Sequence, residues 1–426
     1  MRWAGRGGAR LALAAAVVLG AALVAVIAVR TPWVVLPEPP GGATPVDPTA
    51  GLSVEQLDLA QSFAAAIRPA SLAALVLGLT VSAVLGLTRL GGRLVRAVAA
   101  PLGGGWVWQV LLGVTALAVI GRVVTLPLSA YGEMIRHRYG LSTRSWGLWL
   151  RDVVVSLAID TALTALGLTL LVWLARRAPG TWWAWAGAGA AALVVVGSFL
   201  WPVLMEPAFN RFTPMAAGQL RSDLLALAEE NGTPVEDVLV SDASRRTTAL
   251  NAYVSGFGST RRIVVYDNVL GLLPDDEIES IVAHELGHVA TDDVLTGTLT
   301  GALGAGAGVA LLGWLLAGPR VLRRSGADSA GDPRVVPTVL FLLAVGTLLS
   351  TPLQNLVSRH IEARADVHAL DLTGDPGAFI DMQQRLAVTN LSDPDPPAVW
   401  QWLFGSHPTV AQRVALARDW ERLAGR

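Results

Sequence analysis

The sequence predicts a mostly α-helical, polytopic membrane protein of about seven spans, with a polar domain that carries a small β-hairpin. Three observations predict it. Long apolar runs recur along the 426 residues, of which 53% are hydrophobic and 15% charged, with a mean hydropathy of +0.51; a soluble domain carries about 25% charged residues. Seven of these runs approach the roughly 20 residues that a helix needs to cross hydrocarbon. Polar sequence of domain-like length is confined to 206–293 and 361–426.

The runs are Leu11–Val29, Ser71–Thr88, Trp106–Leu126, Val153–Ala175, Trp182–Leu204, Leu295–Ala317 and Val335–Val357. The first follows Arg2, Arg6 and Arg10 like a secretory signal, but it exceeds the usual apolar core of about 7–15 residues, so it reads as a retained span. Trp106, Trp108, Trp173, Trp182, Trp183, Trp185 and Trp201 lie near span ends, as an interfacial aromatic belt would place them. Thr31–Arg68 is Pro/Gly-rich and acidic and reads as a loop followed by a short amphipathic helix. These runs divide the chain into a transmembrane region, 1–205, and a polar unit, 206–426, that includes the last two spans.

Within that unit, leucines at 220, 224, 225 and 227 give helical periodicity over 215–231. Val238–Ser241 reads as a strand. Asn251–Gly256 and Ile263–Tyr266 flank the turn-rich "GFGSTRR" and read as a hairpin. In "PDDEIESIVAHELGHVA" Asp276 and Glu279 have capping-box spacing, and Ile278, Ile281, Val282, Leu286 and Val289 share one helical face.

Composition narrows the chemistry. The chain has no cysteine, so disulfides and thiolate metal sites are excluded. Its basic residues are all arginine, and a net charge of −1 gives no nucleic-acid signal. Any metal must be held by histidine and carboxylate, as zinc can be. His284-Glu285-x-x-His288 supplies two imidazoles one helical turn apart on the same side. Glu285 sits beside the first, where a carboxylate could take a proton from metal-activated water and pass it to a leaving amine. A third ligand is required. In "SRHIEARADVHAL", Glu362 and Asp366 lie four apart on one helical face. Either Glu362 is the ligand and Asp366 supports a ligand histidine, or the pair is an exposed face matched to Arg359 and Arg364. His360 lies on another face, and His368 reads as structural.

These motifs, with "SHPTVAQR" after them and "RHRYGLSTRS", "EPAFNRFTPM" and "NAYVSGFGSTRRIVVYDNVL" before them, resemble the type I CAAX prenyl proteases, a family of integral-membrane zinc metalloendopeptidases. The resemblance implies a zincin-like domain closing one end of a water-filled chamber of seven helices. It implies one Zn2+ held by His284, His288 and Glu362, with Glu285 as general base. It makes Asp366 a supporting group or proton donor and His407 an oxyanion stabiliser. Asn251 and Tyr253 would hold a peptide by strand addition, with Arg413 after them. Asp160 within span four would then face water rather than lipid, or else pair with an arginine. The expected partners are a bilayer and a peptide or protein substrate, with a lipidated C-terminal CAAX peptide as lead. The alternatives are broad membrane-protein quality control, or a non-catalytic chamber with structural zinc.

The chain departs from the eukaryotic relatives at "VATDDV" after His288, where they carry a further histidine; the change is expected to matter little for zinc. Sidedness is opposed by two signals. Arginines in the N-terminus and in loops two–three, four–five and six–seven put the zinc domain outside the cytoplasm. The resemblance, with Arg136, Arg138, Arg144 and Arg151, puts it on the cytoplasmic side, which is the expectation carried forward.

Overall fold

The computed structural model describes residues 2–204, 209–256 and 258–425. The transmembrane region runs α1 (Arg2–Arg30), α2 (Val54–Leu87), α3 (Arg89–Ala99), α4 (Trp106–Arg138), α5 (Trp146–Arg177) and α6 (Trp182–Leu204). There follow β1 (Phe212–Pro214), α7 (Gln219–Glu230), β2 (Asp237–Ser241), β3 (Ala252–Ser255), β4 (Arg262–Tyr266), the single turn α8 (Val269–Leu272) and α9 (Asp275–Ala290). The chain then re-enters the membrane as α10 (Asp293–Leu316), turns through α11 (Pro319–Ser325) and returns as α12 (Val336–Thr373). It ends in α13 (Pro376–Thr389), α14 (Ala398–Phe404) and α15 (Val410–Leu423). Among the described residues 7 helices are long and apolar enough to cross a membrane: α1, α2, α4, α5, α6, α10 and the segment ending in α12.

Several elements exceed their apolar runs. α2 absorbs the short amphipathic helix expected after the Pro-rich loop and passes through Pro69, starting at a Ser53–Gln56 capping box. A proline deletes one backbone hydrogen bond, which a helix packed on its neighbours survives. The same holds at Pro127 in α4 and Pro352 in α12. As a result α12 runs without a break from the membrane into "SRHIEARAD", sequence expected to belong to a separate polar tail. The loop 31–53 is a strap on the C-terminal unit. Thr44 bonds Asp419, Arg422 bonds the Pro40 and Gly42 carbonyls, and Gln384 bonds the Ala50 carbonyl. α1 packs along α10, and Arg30 donates to Thr296 at 3.2 Å. Of the expected tryptophan belt, Trp108, Trp173 and Trp185 are exposed, whereas Trp182 is buried in the core; the side chain of Trp201 lies outside the described residues.

The strands form one sheet in the order β1-β2-β4-β3, with β2 parallel to β4 and β3 antiparallel to it. The hairpin is therefore present, extended by two strands, of which the three-residue β1 carried no sequence signal. β3 is an edge strand, and its inner side packs against α9. Two apolar cores form, one at each end of the bundle. One gathers Val265, Leu286, Phe379 and their neighbours in the polar unit. The other gathers Val95, Val172, Leu316 and Val339 where α3, α4, α5, α10 and α12 meet at the far end.

That far core is closed by small residues. A Cβ on Gly313 of α10 would meet Trp183 Cβ at 2.6 Å, whereas Gly308 has nothing within 4 Å. Close approach of this kind needs a small residue. Gly313→Ala is therefore expected to push α10 off α6 and lower stability by about 1–3 kcal/mol, and Gly308→Ala to leave it unchanged. Thermal unfolding in detergent compares the two.

Candidate metal centre and active site

α9 starts differently from the capping-box expectation. Pro274 occupies the N-cap with no side-chain cap, and Asp275, Asp276 and Glu277 fill the first turn. Three carboxylates against the positive helix end stabilise the start in place of a box. Glu277 is buried and takes a bidentate contact from Arg385, tying α9 to α13. Ile278, Ile281, Val282 and Leu286 go into the core, each stabilising the fold by roughly 1.5–3 kcal/mol. The opposite face then presents His284 and His288, their rings 4.9 Å apart.

α12 brings Glu362 to this pair. His284 Nε2 lies 3.2 Å from Glu362 Oε2, and His288 Nε2 lies 3.7 Å from Oε1. One ligand atom from each of the three falls within 4.8 Å of the others. A tetrahedral ion with bonds near 2.1 Å spaces its ligand atoms roughly 3.4 Å apart, so the trio fits a metal. Glu362 Oε2 is a buried acceptor with no well-formed hydrogen bond, the kind of atom a cation satisfies.

Both imidazoles are held from behind. His284 Nδ1 donates to Asp366 at 2.9 Å, and His288 Nδ1 donates to Asp293 at 3.0 Å. Each contact leaves Nε2 facing Glu362, the tautomer a metal needs. Each aspartate is itself held by an arginine: Asp366 by Arg413, through Nε at 2.8 Å, and Asp293 by Arg364. The exposed-face alternative for Glu362 and Asp366 is thereby overturned. Glu362 is 8% exposed and Asp366 0%, Arg364 serves Asp293, and Arg359 donates to the Gln401 and Gly405 carbonyls. The last aspartate of "VATDDV", Asp293, supports the ring of His288. Asp292 before it adopts φ 54°, a left-handed turn that aspartate tolerates. That turn swings the chain from α9 into α10 and brings Asp293 back to His288.

Electrostatics favour a cation here. Burial opposes a charged His284, but the neighbouring Asp366 and Glu362 carboxylates carry its pKa up to about 9. Burial pushes the Glu285 carboxyl above its ordinary range, with His284 and His288 pulling the other way.

The remaining expected residues are distributed unevenly. His407 joins the cluster, its Nδ1 2.8 Å from Glu362 Oε2, with a half-open side chain. Arg413 is buried behind the trio against Asp366 and Phe379. Its guanidinium holds Asp366. Asp366 is likewise enclosed by His284 and Arg413. His368 bonds Asn231 at 2.6 Å, and His360 packs on Trp33. Asn251 is exposed at the entry to β3, and Tyr253 lies edge-on to Tyr266. The entry is set by Asn390, whose amide both accepts from the Leu250 N–H at 2.9 Å and donates to the Leu250 carbonyl. The loop after α4 pairs Ser142 with Thr247, pinned by buried Glu133 and Arg144. Asp293 and Asn390 escaped the sequence reading, and Arg364 was matched to its own helix in place of Asp293; only the spacing of Asp293, five residues beyond His288, could have flagged that residue.

A helical membrane protein with an H-E-x-x-H helix, a third acidic ligand and an edge strand beside them is a membrane-embedded metalloendopeptidase. Comparison with known proteins says the same. Residues 214–421 match peptidase family M48, and residues 51–211 match the CAAX prenyl protease N-terminal region of five membrane helices. An uncharacterized metalloprotease of Bacillus subtilis, YhfN, is 34% identical over 310 residues, covering 72% of this chain and 73% of its own. CAAX prenyl protease 1 of Saccharomyces cerevisiae is 27% identical over 319 residues, 70% and 69% of the two chains. The crystal structure of S. mikatae Ste24p superposes with a TM-score of 0.74 at 22% identity, covering 96% of this chain and 98% of that one. The chain belongs to peptidase family M48. It is a multi-pass membrane metalloprotease.

Because outer-sphere partners set ligand geometry, Asp293→Ala is expected to weaken metal binding by roughly 10- to 100-fold. Competition against a chelator, read as metal content, checks this without reference to activity.

Proposed function

We propose that the protein is a zinc-dependent endopeptidase that cuts peptides entering a wet chamber among its spans. The observation that carries the reading is the convergence of His284, His288 and Glu362 with Glu285 beside them. A cysteine-free His2Glu set with an open fourth position suits Zn2+. When bound, zinc would acidify water and polarise the scissile carbonyl.

The protein groups divide the rest of the work. Glu285, its basicity raised by burial, takes the proton of the attacking water and hands it to the leaving amine. His407, open on one side and 2.8 Å from Glu362, stabilises the developing oxyanion. Asp366 and Arg413 hold the His284 ring in place of contacting substrate, as their enclosure implies. Peptide adds to the free edge of β3, where Asn251 and Tyr253 lie. The chamber is supported by the two apolar cores found among the described residues, one in the polar unit and one at the far end of the bundle. It is also supported by Asp160 of α5, which is exposed and unpaired with any described arginine. A bare carboxylate in a span belongs against water.

Residues 1–205 form the membrane region and 206–426 the peptidase unit with its two spans. Their junction lies outside the described residues, but the two family matches meet close to it. The lead substrate class is a prenylated C-terminal CAAX peptide, supported by relatives named for that activity. No pocket residue singles out a prenyl group, so broad cleavage of membrane-associated peptides is the competing outcome. The cytoplasmic placement expected for the zinc domain is supported by the family resemblance and by the exposed Arg136 and Arg138 at the end of α4; the arginines of the other loops argue the opposite way.

Two peptides that differ only in farnesylation of the cysteine, offered in nanodiscs, test the substrate. Preferential cleavage of the lipidated one supports the CAAX reading, and equal cleavage replaces it with general endoproteolysis. Glu285→Ala is expected to keep its metal and lose at least ~100-fold in turnover, whereas Glu362→Ala loses most of the metal. Metal analysis beside the peptide assay separates the two. Full occupancy in Glu362→Ala would remove Glu362 from the ligand set.

A further inference from the structure

In an antiparallel ladder, alternate residues turn their N–H and C=O to opposite sides of the strand. The Asn251 carbonyl accepts from the Tyr266 N–H at 3.1 Å, and Tyr253 and Ser255 stand opposite Val264 and Arg262. Residues 251, 253 and 255 therefore give their backbone groups to β4. Leu250, Ala252 and Val254 turn theirs to the outer edge of β3.

Those outward groups are not equivalent. At Leu250 both are taken by one side chain, that of Asn390, which accepts from the N–H at 2.9 Å and donates to the carbonyl at 3.3 Å. A primary amide carries the same donor and acceptor as a peptide group, so Asn390 stands where the backbone of a further strand would. Upstream the edge belongs to the loop after α4. The Thr248 N–H bonds the Leu141 carbonyl at 3.3 Å, the Thr143 N–H bonds the Arg246 carbonyl at 3.2 Å, and Ser142 pairs with Thr247. The Thr247 and Thr248 hydroxyls donate to the Leu141 and Gly140 carbonyls. Among the described residues no such bond engages the outward groups of Ala252 and Val254. Within β3 the edge that a peptide can join is these two residues, and it is closed on the Leu250 side.

Asn390 is fixed in place. It ends α13, where its own N–H bonds the Leu386 carbonyl at 2.9 Å. Leu391 follows at φ 51°, Ser392 returns its N–H to the Ala387 carbonyl at 2.9 Å, and Asp393 is held by Arg68 of α2 at 2.8 Å. The amide is thus oriented by a turn anchored to a membrane span. A peptide pairing with Leu250 would have to break both of its bonds.

We propose that Asn390 is a specificity-determining residue that ends the substrate-binding edge at Ala252. It rests on the peptidase reading above, in which peptide adds to β3. The peptide joins in the antiparallel sense that β3 already keeps with β4, the more stable pairing, so its C-terminal side runs towards Leu250. It is held there through two residues, one opposite Val254 and one opposite Ala252, and leaves the sheet beyond them. The chain is free to stop or to turn away after that point, which suits a chain end and an exposed loop alike.

An N-methyl scan reads the length of this ladder. Labelled forms of the peptide pair above, each with one backbone N–H methylated, are titrated onto the full-length Glu285→Ala protein in nanodiscs, so no step depends on cleavage. Two positions, two residues apart, should each lose roughly 5-fold or more in affinity, as expected for one backbone hydrogen bond. In the Asn390→Ala background a third sensitive position should appear two residues further towards the peptide C-terminus, where Leu250 has been released. Asn390→Ser, in which a water can replace the amide and yield to a peptide, should give the same third position if the alanine variant fails to fold. A merely structural role for Asn390 would lower affinity for every peptide alike and leave the pattern of sensitive positions unchanged, which overturns the proposal. A third sensitive position already present with Asn390 intact overturns it as well. A new position on the N-terminal side overturns the antiparallel sense. Failure of every peptide to bind, methylated or not, removes the peptidase reading itself and the stop with it.

Discussion

The active centre hangs on two imidazole–carboxylate hydrogen bonds, His284 to Asp366 and His288 to Asp293. Each fixes a tautomer and aims one Nε2 at Glu362. Neither aspartate belongs to the helix that carries the histidines. Asp366 rides on α12 and Asp293 opens α10, so the site forms only where two membrane spans leave the bilayer on either side of α9. An arginine behind each aspartate completes the arrangement, Arg413 from α15 and Arg364 from α12. Charges this deep persist because each has a partner; one left unpaired would cost several kcal/mol. The geometry of the metal trio is therefore set by the packing of the whole C-terminal unit.

This arrangement reconciles a hydrolytic site with a lipid-embedded chain. The spans are lined up by small-residue contacts and a core at the far end, and by the polar unit at the metal end. Nothing requires a dry core between them. Long helices are stiff enough to hold the ligands in register across that space, which is why α12 must pass Pro352 without a break. Edge strand β3 then lies beside α9, with β4 as its one strand partner among the described residues.

Much of this was legible in the sequence, because the informative signals are local. His284, Glu285 and His288 share a turn, Glu362 and Asp366 share the next helix's face, and the spans declare themselves by composition. What was not legible depends on chain reversal. Asp293 lies five residues past His288, beyond the helix the sequence marks, and only the left-handed turn at Asp292 returns it. Arg364 read as a partner for its own helix because helical spacing is all a sequence offers, whereas its partner lies 71 residues away. Arg413 could be aligned but not aimed. The start of α9 was misread because a capping pair and an acidic first turn look alike in sequence and differ only in which backbone N–H is satisfied.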